Sequence, residues 1–207
     1  MTPDLITKLL APFEVPLDDL RLARISMYID ILERWNSRIS LTAIRHPEQI
    51  VTRHFGESLF AAKLLFSGSR NTPLIDVGSG PGFPGLPIKI WNPAIRVSLI
   101  ESNQKKATFL REVIRTLTLK DVNVFPARAE DHPPSLAGVV TLRAVEHFDQ
   151  ILPSAIRLLS PGGRLALLIG SQQVGSALHY PLKWDEPVLI PTSHARVILV
   201  GTSDARP

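Results

Sequence analysis

The stretch LIDVGSGPGFPGLP, residues 74–87, decides how this chain is read. An apolar run of strand length ends in Asp76, the glycines Gly78, Gly80, Gly82 and Gly85 follow, and a helical pattern begins. Glycines at a strand-to-helix turn permit positive φ and let a ligand lie against the backbone, beside a helix N-terminus at the carboxyl edge of a sheet. Downstream, short apolar runs predict strands at Pro73–Val77, Ile95–Glu101, Val122–Phe125, Gly138–Leu142 and Arg164–Ile169. Helical patterns fall between them at about 84–91, 103–118 and 147–160. Strands separated by helices imply a parallel sheet with right-handed crossovers, an open Rossmann-like α/β fold. Pro187–Ile190 and Arg196–Val200 read as a hairpin-like pair that closes the sheet.

Upstream the texture is helical. Leu5, Ile6, Leu9 and Leu10 share one face, a longer helix is expected from about Asp18 to Asn36, and a third from His46-Pro47 to Leu65. In that third helix Ile50, His54, Ser58 and Ala61 form one stripe. The expected organisation is a helical extension over residues 1–68, packed on the sheet of a core spanning 69–207.

The composition of the 207 residues narrows the chemistry. There is no cysteine, so disulfides, thiolate metal sites and cysteine nucleophiles are excluded. The six histidines show no ligand spacing with carboxylates, so no metal is expected. No run reaches the ~20 apolar residues of a membrane span, and the acidic N-terminus lacks the character of a signal peptide. A cytoplasmic, monomeric protein is expected. The formal net charge of +4 is spread along the chain, except that Lys105, Lys106, Arg111, Arg115 and Lys120 face Glu112 alone between residues 102 and 120. One small basic patch is therefore predicted.

Two cofactors compete for the glycine loop. Gly80-x-Gly82-x-x-Gly85 matches the dinucleotide fingerprint, and Glu101 lies about where a ribose-binding acid belongs. Yet Asp76, at the strand end, would repel a pyrophosphate. S-adenosylmethionine carries an amino group and a sulfonium and no phosphate, so acids at Asp76 and Glu101 favour it.

At this point the chain resembles the bacterial 16S ribosomal RNA guanine-N7 methyltransferase family, RsmG or GidB. The resemblance runs from about Ile31 to Val200. It rests on WNSRISLTAIRHPEQIVTRHFGESL (35–59), LIDVGSGPGFPGLP (74–87), LIESNQKKATFLREV (99–113), ARAED (127–131), LRAV (142–145) and RVILV (196–200). It implies a class I methyltransferase that moves a methyl group from S-adenosylmethionine to N7 of a guanine in the decoding-region loop of 16S rRNA, free or within the small ribosomal subunit. It further implies that Gly78 and Phe83 line the methionine and adenosine sides of the cofactor, that Glu101 holds the ribose hydroxyls, and that Ala129 and Glu130 meet the adenine edge. Gly80 belongs to the same loop, and Arg143 would bind the cofactor and sit at the mouth near cofactor and substrate as the catalytic candidate. Arg45, Arg53, His54, Lys105 and Lys106 are the candidates for RNA contact.

The chain departs from the family pattern at Ser40, where Asn is usual, at Leu142, where Ser is usual, and at Ile169, where the strand-end tripeptide usually carries Lys. Gly201-Thr202 stands where a closing lysine is usual. An NAD-dependent oxidoreductase using the literal fingerprint, and a non-catalytic S-adenosylmethionine-binding module, are the competing readings.

Overall fold

The computed structural model describes residues 1–68, 71–132, 137–143 and 148–204. The predicted first residue of the 147–160 helix and part of the LRAV stretch lie outside them. Three helical elements lead in: α1 (Pro3–Leu10), α2 (Asp19–Asn36), and a continuous run of α3 (Pro47–Gln49), a π-helical segment (Ile50–Gly56) and α4 (Glu57–Phe66). Asp18 caps α2 by accepting from the Arg21 amide at 2.8 Å. The predicted stripe Ile50, His54, Ser58 and Ala61 is buried throughout.

The sheet then follows: β1 (Leu74–Val77), α5 (Gly85–Trp91), β2 (Val97–Ile100), α6 (Gln104–Thr116), β3 (Val122–Phe125), β4 (Ala137–Arg143), α7 (Phe148–Arg157) and β5 (Leu159–Gly170). A short α8 (Val174–Ala177), β6 (Lys183–Trp184), β7 (Val188–Leu189) and β8 (Arg196–Thr202) complete it. The strand order is β3-β2-β1-β4-β5-β8-β6, with β7 also paired to β8. Strands β1 to β5 are parallel, and β8 runs antiparallel to β5, β6 and β7. Because β1 has β2 on one side and β4 on the other, their connections leave in opposite directions, and a crevice opens at the carboxyl ends of β1 and β4.

Alternation along the strands sorts the core into two faces. Leu74, Ala166 and Leu168 pack with the N-terminal helices, through Ile25, Tyr28, Leu59 and their neighbours. Ile75, Val77, Leu165, Leu167 and Ile169 pack on the opposite face with Leu152 and Ala155 of α7. With both faces covered, the central strands are mostly apolar on both sides, Asp76 of β1 and Thr141 of β4 being buried polar exceptions bonded to each other.

The largest boundary difference from expectation lies between α7 and β5. The spacing predicts a helix reaching residue 160 and a strand starting at Arg164, whereas the strand begins at Leu159. Pro161, Gly162 and Gly163 fall inside β5, where Gly162 takes φ +70 and the register with β4 shifts between Ala137 and Val139. A β-irregularity absorbs residues that look like a turn. Among the described residues, no helix is long and apolar enough to cross a membrane.

Candidate functional site

The glycine loop leaves β1 with Gly78, Gly80 and Gly82 at φ +67, +53 and +89, values that side chains rarely adopt. At Gly82 a Cβ would also sit 2.4 Å from the Tyr28 hydroxyl. That hydroxyl donates to the Pro81 carbonyl, so the loop is held from below by α2. Phe83 is sandwiched, its ring stacked on His54 at 4.6 Å and on Tyr28 at 5.4 Å.

Asp76 lies beneath the loop, in the interior. Its carboxylate is 1 % exposed and lines neither of the cavities described below. One oxygen accepts from the Gly85 amide at 3.1 Å, the other from the Thr141 hydroxyl at 2.7 Å, and the Ser79 hydroxyl donates to the Asp76 carbonyl at 2.9 Å. Asp76 faces the interior because β1 alternates and its even positions point to the helical face; it fastens the loop from beneath. Burial pushes its pKa up to about 6 against these hydrogen bonds.

Two cavities meet at the carboxyl edge, sharing Gly78 and Ile151. The smaller, about 330 Å³, is bounded by Ile100, Ser102, Ala127, Ala129, Glu130 and Gln150 among others. Its floor is fixed by Arg157, which donates to the carbonyls of Ala129 at 3.2 Å and Glu130 at 2.9 Å. The larger, about 680 Å³, is walled by the loop Leu41–Ile44, by Arg53, His54, Phe83, Lys106 and Arg143, and by the glycine turn. Glu101 opens on it at the end of β2. Its two oxygens accept from the amides of Gly80 at 2.7 Å and Asn103 at 2.8 Å, leaving lone pairs for hydroxyl donors.

Arginines gather at the rim of the larger cavity around one buried acid. Glu57, 2 % exposed, pairs with Arg53 at 3.3 Å, Arg143 at 3.1 Å and Arg196 at 2.5 Å. Arg143 also donates to the Arg53 carbonyl at 2.6 Å. Three guanidiniums against one carboxylate leave the rim positive, suited to anions.

The rRNA small subunit methyltransferase G family model, GidB, matches residues 21–181. The chain belongs to this family. A family member named ribosomal RNA small subunit methyltransferase G from Chloroflexus aggregans is 36 % identical, with 99 % of this chain and 91 % of the relative covered. One of the same name from a Roseiflexus species is 44 % identical over 75 % of this chain and 68 % of the relative. Among solved structures, a putative S-adenosylmethionine-dependent methyltransferase from Methanococcus maripaludis superposes with TM-score 0.59, at 12 % identity over 71 % of this chain and 85 % of that one. Pyrococcus horikoshii TYW2, solved in complex with MeSAdo, gives 0.57 at 16 % identity; it matches 72 % of this chain and 62 % of its own length, less than two thirds. These last two likenesses establish the fold.

Within this GidB chain the expected RNA contacts fall into three groups. Arg53 and Lys106 line the larger cavity. Lys105 lies beside it, in a cleft of about 280 Å³ shared with Arg38, Ser40 and Lys106. Arg45 is exposed, donates to the Asn36 carbonyl at 2.9 Å and lines neither cavity. His54 does line the cavity, but as a neutral ring: burial, with Arg143 and Arg53 nearby, lowers its pKa to about 3, so it offers no cation to a phosphate. Of the departures from the family pattern, Leu142 and Ile169 are core residues of the face opposite the N-terminal helices. Glu57 and Arg196, which sequence reasoning did not single out, join Arg53 and Arg143 in one ion-pair cluster. Arg53 and Glu57, spaced i,i+4, carry only the signal of an ordinary helix pair.

Proposed function

We propose that this chain transfers the methyl group of S-adenosylmethionine to N7 of a guanine in the decoding-region loop of 16S rRNA, working as a cytoplasmic monomer on the RNA or the small subunit that contains it. The observation that carries the reading is the meeting of two unlike cavities at Gly78 and Ile151: one floored by Ala129 and Glu130, the other rimmed by Arg53, Lys106 and Arg143. The residues present suit the cofactor. Glu101 has acceptor capacity for ribose hydroxyls, Ala129 and Glu130 form a wall held by Arg157, and the positive-φ glycines allow close approach. When bound, S-adenosylmethionine supplies an electrophilic methyl group.

What the chain itself must do is orient. Guanine N7 bears a lone pair and no proton, so no general base is needed, and positioning in a dry pocket carries the rate. The wall agrees with that demand: His54 is neutral and a poor base at pH 7, while Arg53, Arg143 and Lys106 suit phosphate and carbonyl oxygens. The dinucleotide alternative meets an obstacle at Gly85, whose amide is taken by the Asp76 carboxylate instead of facing a pyrophosphate. A non-catalytic module has no use for a cation-rimmed cavity beside the cofactor wall.

Titration calorimetry separates these readings. Binding of S-adenosylmethionine, weakened at least tenfold by Glu101→Ala and with no heat from NAD, is expected; NAD binding without S-adenosylmethionine binding would sink the proposal.

A further inference from the structure

Glu57 and Arg196 line neither cavity at the carboxyl edge, yet both belong to the cluster that holds the two arginines of the larger one. Glu57 Oε2 accepts from Arg143 Nη2 at 3.1 Å, and that nitrogen also donates to the Arg53 carbonyl at 2.6 Å. Glu57 Oε1 faces Arg53 Nε at 3.3 Å and accepts from Arg196 through Nε at 2.9 Å and Nη2 at 2.5 Å.

Burial sorts the four side chains. Glu57 is 2 % exposed and Arg143 10 %, against 27 % for Arg196 and 45 % for Arg53. Arg143 thus has little solvent to turn to, and its place at the cavity wall is set by two acceptors, the Glu57 carboxylate and the Arg53 carbonyl. That carbonyl is the one an α-helical Glu57 amide would occupy; here the amide donates to the His54 carbonyl. Burial works against the charge on Arg143, and Glu57 is the strongest influence sustaining it. Buried ion clusters add little net stability beyond an apolar cluster of like shape. What this one defines is the place of a guanidinium.

We propose that Glu57 is a positioning residue for methyl transfer: it fixes the Arg143 guanidinium at the wall of the larger cavity, and Arg196 acts by fixing Glu57. The proposal rests on the methyl-transfer reading above. With no general base in the reaction, the rate depends on how the guanine is placed against the methyl group, and a displacement of about 1 Å costs up to about 100-fold. The hydrogen bonds of the Arg196 guanidinium go to Glu57, so its influence on the cavity passes through that carboxylate.

The test measures single-turnover methyl transfer by the full chain, at saturating S-adenosylmethionine, on small subunits that lack the modification. Each rate is taken per cofactor site counted by calorimetry, so loss of folded protein does not enter. Glu57→Gln keeps the side-chain length and one acceptor oxygen but loses the charge. It should slow the maximal rate about 100-fold, with the cofactor dissociation constant and the half-saturating subunit concentration each within about threefold. Glu57→Asp, which keeps the charge, should recover part of the rate. Arg196→Ala should slow transfer about tenfold in the otherwise native chain and less than about twofold in the Glu57→Gln background, because residues that act as one unit do not add.

Transfer by Glu57→Gln at close to the wild-type rate overturns the proposal. So does an Arg196→Ala that slows transfer equally in both backgrounds, which would make Arg196 an RNA contact in its own right. Should Glu57→Gln yield no cofactor-binding protein, Arg196→Ala, made at a partly exposed side chain, decides. A lower maximal rate with an unchanged salt slope of subunit binding supports the proposal, and a wild-type rate, or a slope reduced by about one as for a lost phosphate contact, overturns it. If wild type transfers no methyl group to small-subunit RNA, the functional reading itself fails, which is a different result from transfer indifferent to Glu57.

Discussion

At the scale of single residues, Asp76 shows how a strand-end acid can find partners that its neighbours in sequence do not announce. Its place after an apolar strand and before four glycines marks it as part of the site, but its partner, the Gly85 amide, lies nine residues on, reached only once the loop has closed. The sequence gives no measure of that return. Two variants separate a fastening role from a cofactor-facing one. Asp76→Ala leaves a buried amide and a buried hydroxyl unpaired and should cost about 2 kcal/mol or more in urea denaturation, together with cofactor affinity. Asp76→Asn can accept from Gly85 and donate to Thr141, so it should retain cofactor binding to within a few-fold by calorimetry. An Asn variant that binds as poorly as Ala would give the charge itself a role.

The same residue predicts a pH effect. Its folded pKa of about 6 lies above the ordinary 3.8, so between those values the folded state holds the proton more tightly than the unfolded chain. This group's contribution to stability is therefore fullest below pH 4 and is lost as pH rises through 6. Compared with Asp76→Asn by urea unfolding at several pH values, wild type should lose stability relative to the variant over that window.

Elements bring together what no local pattern announces. Glu57 opens α4, Arg143 ends β4 and Arg196 begins β8, so the pairs at the rim span 86 and 139 residues. The strand ends were legible from apolar runs; their adjacency depends on β8 returning antiparallel beside β5, which pairs Arg196 with Gly170. A hairpin-like pattern predicts the pairing of β7 with β8 and is silent on the insertion of β8 between β5 and β6. Arg196 thus brings a cation to the strand end where Ile169 replaces the family's lysine. Glu57→Ala, which leaves three guanidiniums crowded and unpaired, should destabilise the protein by about 3–5 kcal/mol, read as a lowered urea midpoint. Arg196→Ala should cost far less stability, and its effect should fall on methyl transfer.

The π-helical segment belongs to this scale too. A π turn widens the helix where Arg53 and His54 leave it, a feature common at functional sites. Residue 56 must be glycine for that helix to pass, since a Cβ there would lie 2.3 Å from the Phe13 ring. The stripe through His54 was readable from helical spacing; the change of pitch beneath it was not, because it is fixed by packing against α1 and the Phe13 turn.

For the molecule as a whole, the α/β class followed from strand and helix periods, and the site's position from the glycine loop at the strand edge. The charge is the property that the three-dimensional arrangement refines most. A net +4 spread along the chain resolves into a rim of Arg53 and Arg143, backed by Arg196 through their shared partner Glu57, and an adjoining cleft of Arg38, Lys105 and Lys106 that meets the larger cavity through Lys106. Replacing Arg38 and Lys105 by Ala should weaken binding to the small subunit and reduce its salt slope by about 2, one for each lost phosphate contact, with cofactor binding unchanged. An unaltered slope in a filter-binding titration would remove the cleft from the RNA path.

The central claim, methyl transfer to one guanine N7, is tested most directly on small subunits that lack the modification, incubated with the chain and S-adenosylmethionine. Borohydride–aniline treatment of the extracted RNA cleaves at 7-methylguanosine. One new cleavage in the decoding-region loop of 16S rRNA, dependent on the cofactor and lost with Arg143→Ala, is the predicted result. Methyl groups recovered only in ribosomal protein, or in RNA with no cleavage at any guanine, would contradict it.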